Sequence, residues 1–223
     1  MTISILAFDE KTGAYGGAAA TGSLCVGGWV LRGDAESGLS ASQGSLPSTM
    51  WGTDVLSLMR GGMSAGDAVT KVTQADAGRV ERQLAAIDPF GGTGCFTGAN
   101  SIPTAGTRDA RRVVVAGNLL ASEAVLDACL ETFQVTDAPI DQRLLASLTA
   151  AADAGGDSRG LLSAALLVVS RNQPPLTLRV DYSEEPLDAL SDLHRKATTG
   201  DYADWARRVP TLKDPQRAEP GEI

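Results

Sequence analysis

The chain has 223 residues, 43% of them hydrophobic, and a net charge of -8. That length suits one large domain with a sizeable core, and no run of basic residues interleaved with aromatics points to nucleic acid or an anionic membrane surface. Three cysteines without Cys-x-x-Cys spacing support neither a disulfide framework nor a zinc knuckle, and one histidine leaves no Ser-His-Asp, Cys-His or His-rich metal site.

The first strand is expected at residues 2–8, β-branched early and alternating. A hairpin turn at Glu10-Lys-Thr-Gly13 leads to a small-residue strand over 15–21. Further strands are expected at 25–31 and 38–43, closing a β meander. Two helices follow. One runs from Thr49 or Met50 to Arg60 and is ended by Gly61-Gly62. The other is N-capped by Ser64, with Asp67 three residues on. Strands resume at 82–87 and 93–97, then a loop over 101–109 and a buried strand at 112–116 that turns at Gly117-Asn118. Helices at 122–133 and 139–152 precede a hairpin of strands at 163–170 and 176–181. Helices at 185–196 and 201–208 complete the pattern, and His194 reads as a solvated residue of the first of these.

Blocks of strands separated by helix pairs argue for antiparallel sheets with helices outside them. The expected fold class is therefore α+β, a four-layer αββα sandwich of two antiparallel sheets. Residues 1–210 read as one domain and 211–223 as a polar, disordered tail. The opening residues lack a basic segment and carry Asp9 and Glu10 too early for a signal peptide, and no apolar run is long enough to span a bilayer. A cytoplasmic protein with reduced thiols is the expectation.

Several short segments carry a family resemblance. They are Thr2-x-Ser4, Ala41-Ser-Gln43, Arg82-Gln83, Ile87-Asp88, Phe96-Thr-Gly98, Gly117-Asn118-Leu-Leu, and Ala154-Gly-Gly-Asp-Ser-Arg-Gly with Ser163-Ala-Ala-Leu. In this order they resemble the bacterial "domain of unknown function 1028" family, which is Ntn-hydrolase-like, the Ntn-hydrolases being the N-terminal-nucleophile enzymes. The stretch from Val113 through the Ala-rich helix also looks like the corresponding part of proteasome-type subunits. The resemblance covers residues 2–181. It implies an N-terminal threonine nucleophile and hydrolysis of a small amide or related acyl substrate, with no metal or organic cofactor. One departure stands out: where proteasome-type sites place an Asp and a Lys, this chain reads Gly17-Ala-Ala-Ala-Thr-Gly-Ser-Leu-Cys-Val, with neither.

Thr2 is the leading candidate nucleophile, because a free α-amine can take its hydroxyl proton without a histidine; the same residue also suits an edge strand. Ser4 lies on the same strand face and either supports the hydroxyl or is a polar edge residue. Gly117 and Asn118 offer an oxyanion site or a strand-to-helix turn. Asp157 and Arg159 form either an orienting charge pair or a structural corner, and Ser163 either bonds the amine or closes the turn. Gln43 either binds a substrate amide or is a satisfied buried amide. Trp29 and Trp51 line a pocket or fill the core. The partner expected is a small molecule, with self-association into a homo-oligomer, and neither nucleic acid nor membrane. The rival function is a non-catalytic binding or assembly protein on the same fold.

Overall fold

The structure, a computed structural model, describes residues 2–101, 104–156 and 160–218. Ten strands and seven helices follow in chain order: β1 Thr2–Asp9, β2 Ala14–Thr21, α1 Val26–Trp29, β3 Leu31–Asp34, β4 Gly38–Gly44, α2 Thr49–Arg60, α3 Ala65–Gln74, β5 Arg82–Ile87, β6 Thr93–Thr97, β7 Gly106–Ala110, β8 Val113–Asn118, α4 Ala124–Val135, α5 Ile140–Asp153, β9 Ser163–Val169, β10 Leu176–Val180, α6 Pro186–Thr198 and α7 Gly200–Ala206. The strands form a six-stranded sheet in the order β10-β9-β2-β1-β8-β7 and a four-stranded sheet in the order β3-β4-β5-β6. Every pairing is antiparallel. The fold is a two-sheet α+β sandwich with flanking helices.

The period of two along β1 explains the layering. Ile3, Ile5 and Ala7 point outward into a core shared with Leu126, Phe133, Leu144 and Leu148 of α4 and α5. Leu6 and Phe8 point inward, between the sheets, against Leu39, Ala41, Ala85 and Ile87. A third apolar cluster joins Trp51, Val55 and Met59 of α2 to Ala68 and Val69 of α3 and Leu84 of β5. The small-residue run from Gly16 to Ala20 in β2 lets α5 approach closely: a Cβ at Gly16 would stand 2.5 Å from Leu144 Cδ1.

Local chemistry fixes the helix starts. Ser48 Oγ accepts from Trp51 N–H at 3.3 Å and Ser64 Oγ from Asp67 N–H at 3.2 Å, each satisfying one orphan donor of its helix. Asp88, buried at the end of β5, accepts from Phe90 and Gly92 N–H through Oδ1 and from Ala65 N–H through Oδ2. It therefore ties the β5–β6 turn to the start of α3.

Four sequence expectations are corrected. The strand expected at 25–31 is not formed before Leu31, which opens β3: Cys25 takes a left-handed conformation (φ 61°) and caps the short α1, where Gly27 fits closely against Ala165 and Arg179. The 101–109 segment is not all loop, because β7 adds an edge strand beside β8. Gly117 and Asn118 are not a turn but the last two residues of β8, paired with Ile3 and Thr2. His194 is buried rather than solvated, with Nε2 2.6 Å from Asp141 Oδ2. At the C-terminal end, Lys213 N–H donates to Arg171 O at 2.8 Å.

Candidate functional site at the head of the central strand

The interior between the sheets is apolar over most of its length and polar at one end. Thr2 begins β1, the strand flanked by β2 and β8. Its register partners are Thr21 on β2 and Asn118 on β8, and Thr21 in turn pairs with Ser163 on β9. Ser163, Thr21, Thr2 and Asn118 thus form one polar row across four strands. Residues of such a row share a face, and that face looks toward the second sheet.

The hydroxyl oxygens of Thr2 and Thr21 lie 3.0 Å apart. Thr2 is half-buried and Thr21 buried. Behind them sits an amide network. Gln43 Nε2 donates to Gln83 Oε1 at 2.7 Å and reaches the Thr2 carbonyl at 3.4 Å. Gln83 Nε2 lies 2.9 Å from Thr97 Oγ1 and 3.0 Å from the carbonyls of Gly106 and Gly117. Asn118 Nδ2 donates to Gln83 Oε1 at 3.3 Å. Among the described residues, Gln43 Oε1 and Asn118 Oδ1 are buried without a hydrogen-bond partner, an arrangement that costs stability.

Thr2, Thr21 and Gln43 open onto a cavity of about 290 Å³, whose far walls come from residues 23–30 and 44–47. The first wall is pinned from several sides. Ser163 Oγ donates to Ser23 O at 2.7 Å and accepts from Val26 N–H at 3.1 Å. Cys25 N–H donates to Asp181 O at 3.0 Å. The Arg32 guanidinium donates to Trp29 O at 2.8 Å and Gly28 O at 3.2 Å, and burial pulls its pKa down from the usual arginine value. The second wall is held by Glu81, whose carboxylate accepts from Ser45 Oγ and Asn100 Nδ2; the Asn100 and Ser45 bonds hold that carboxyl below its ordinary range.

The structure brings together most of the residues singled out in the sequence. Thr2, Gln43, Asn118 and Ser163 converge on this end of the sandwich. Ser4 is one step deeper, its hydroxyl turned to Ala116 O at 3.5 Å. Gly117 lies within the ladder, with its carbonyl on Gln83, and neither it nor Asn118 is part of the cavity wall. Asp157 and Arg159 lie outside the described residues. Trp29 lines the cavity, whereas Trp51 is core. Sequence reasoning missed Thr21 and Gln83. The available signals were a threonine ending a strand rich in Ala and Gly, and one amide directly before the apolar run Leu84-Ala-Ala-Ile87.

A larger groove of about 1030 Å³ runs past the β9–β10 hairpin, α7 and the β1–β2 turn. It holds none of the described candidate residues. Among the described residues no group of three or more His, Cys, Asp or Glu is placed to hold a metal ion. No described helix is long and apolar enough to cross a membrane.

Fold and site together define a two-sheet α+β sandwich with a hydroxyl-lined cavity at the head of its central strand. The chain belongs to the family of unknown function DUF1028, whose model matches residues 2–190. It is similar to protein SPO2555 of that family from Silicibacter pomeroyi, known from a crystal structure: 52% identity and a TM-score of 0.95, over 100% of this chain and 97% of that one. No curated protein matches it significantly.

Proposed function

We propose that the protein is an Ntn-type hydrolase of a small amide or related acyl substrate, with Thr2 as nucleophile. The observation that carries this reading is the Thr2 hydroxyl itself, half-buried at the head of the central strand, 3.0 Å from a second hydroxyl and open to a cavity. Removal of Met1 leaves the α-amine of Thr2 as a base on the same residue, with an unperturbed pKa of about 8.

In the proposed reaction the α-amine takes the proton as Thr2 Oγ1 bonds to the acyl carbon. The tetrahedral intermediate then expels the amine, which leaves with that proton, and an ester on Thr2 remains. Water, deprotonated by the same α-amine, attacks the ester, and the bond between the acyl carbon and Thr2 Oγ1 breaks, the ammonium returning the proton to Oγ1 to give the acid and the free hydroxyl. Thr21 orients the nucleophile. Gln43 holds the Thr2 carbonyl, and Gly117 and Asn118 fix Gln43 through Gln83, so these three position rather than react. Gly44 and Ser45 lie in the cavity wall, and their main-chain N–H groups are the donors proposed for the oxyanion. Ser163 supports the facing wall. The scheme needs no cofactor.

The test is intact mass of the protein purified from a native-like host, before and after a threonine-acylating β-lactone. The expected result is loss of the Met1 mass and a single adduct on Thr2, absent in Thr2→Ala. Retained Met1 with no adduct sinks the mechanism.

One observation favours a second reading. No ionisable side chain lines the cavity among the described residues, so nothing but the α-amine supplies a base. A binding or assembly protein on this fold would bind its ligand equally well as Thr2→Ala and turn over nothing in either form. Self-association belongs to either reading and is measured by light scattering.

A further inference from the structure

The walls of the cavity beside Thr2 have a consistent chemistry. The apolar wall is made of Leu24, Val26, Trp29, Val30 and Pro47. Leu24 is 54% exposed and Trp29 52% exposed, although the backbone carrying them is pinned by Ser163, Arg32 and the Asp181 carbonyl. Two large apolar side chains are thus presented to solvent on a braced loop, at the mouth of a cavity. The polar atoms of the cavity are neutral: the hydroxyls of Thr2, Thr21, Ser23 and Ser45 and the amide of Gln43.

The neighbouring charges are engaged elsewhere. Arg32 holds main-chain carbonyls, Arg179 pairs with Asp181, and Glu81 is bonded to Ser45 and Asn100. Among the described residues no side chain lining the cavity offers a counter-charge, so a carboxylate or ammonium entering it gives up water for little return from the walls, the costly case of burial. An uncharged chain loses nothing comparable and covers Leu24 and Trp29. The cavity volume of about 290 Å³ falls at the small end of the roughly 300–1,000 Å³ seen for ligand pockets, which suits a short acyl chain rather than a polymer.

We infer that this cavity is the acyl-group pocket for a short, uncharged, mainly apolar acyl chain, with Leu24 and Trp29 as the specificity-determining residues. The inference rests on the hydrolase reading for the word acyl, but the preference for a neutral chain is a property of binding alone.

The probes are three p-nitroanilides of similar size: hexanoyl (neutral), adipoyl (anionic) and ε-aminocaproyl (cationic). Binding to the full chain and to Thr2→Ala is measured by calorimetry, and turnover by release of p-nitroaniline. The hexanoyl compound is expected to bind both forms at least about tenfold more tightly than either charged one. Leu24→Lys, at an exposed position that does not threaten the fold, is expected to tighten adipoyl binding about tenfold and weaken that of ε-aminocaproyl. Equal affinities, a preference for a charged probe, no binding of any probe, or an unmoved order in Leu24→Lys would overturn the inference. Neutral-selective binding without turnover in any form would leave the pocket standing and count against the hydrolase. Faster turnover of a charged probe would do the reverse.

Discussion

Gln43 and Gln83 lie directly opposite one another on β4 and β5, with Nε2 of the first 2.7 Å from Oε1 of the second, and both side chains are buried. This pair links the two sheets at the polar end of the interior: Gln43 reaches across to the Thr2 carbonyl, and Gln83 to the carbonyls of Gly106 and Gly117.

Truncating the hub therefore leaves several buried groups without partners. Gln83→Ala is expected to cost about 3 kcal/mol, the scale of a broken buried polar network. The lowered midpoint would be read by urea denaturation. A loss under about 0.5 kcal/mol would show that the network contributes little.

In the proposed mechanism Thr21 bears on reactivity more than on folding. Thr21→Val keeps the shape of the side chain and removes the hydroxyl beside Thr2. The rate of Thr2 acylation should fall by about tenfold or more, the equivalent of one hydrogen bond, with little change in melting temperature. In the unaltered protein that rate should rise with pH through about 8, because only the unprotonated α-amine accepts the hydroxyl proton. A flat profile would argue against the amine as base.

The Asp141–His194 pair joins α5 to α6 and gives stability a pH dependence. Burial alone would raise the Asp141 carboxyl, but the His194 hydrogen bond and charge, with backbone N–H bonds, outweigh it and hold the pKa below the usual value. A folded pKa below the unfolded one means stabilisation that is complete above the unfolded value, about 3.9. It is lost as pH falls through the lower folded value. Asp141→Asn should be less stable than the parent by about 1 kcal/mol at pH 6, a figure discounted for partial exposure. The gap should narrow as pH falls below about 4, as followed by denaturant titration.

The three thiols should separate by reactivity. Complete burial pushes the Cys129 thiol up to about 12, while Cys95 is exposed and Cys25 half-buried. Iodoacetamide at neutral pH should modify Cys95 first and leave Cys129 intact until denaturant is added, as resolved by peptide mass spectrometry. Early labelling of Cys129 would contradict the packing of α4 against β8.

Much of this architecture is legible in the chain, for local reasons. The Ser64 cap marks a helix whose start depends on nearby residues, and the alternation of β1 is visible by itself. The misreadings fall where tertiary contacts override local preference. β7, Gly-Thr-Arg-Asp-Ala, has no apolar alternation because it is an edge strand that buries little. Val26, Trp29 and Val30 favour a strand, yet Gly27 must tuck against Ala165 and Arg179, and the chain coils there instead. At the site, Thr2 was visible as a possible nucleophile, but Thr21 and Gln83 were not. Their roles come from register between strands far apart in sequence, which no short window contains.

The placement of β1 has a practical side. The first strand is interior to its sheet and begins beside the cavity, so a peptide fused ahead of Thr2 starts at the cavity wall. An affinity tag or an uncleaved leader on that terminus would leave Thr2 without a free α-amine, the base of the proposed reaction. Preparations of this protein that differ only in which end carries the tag are, for any assay of this site, different molecules.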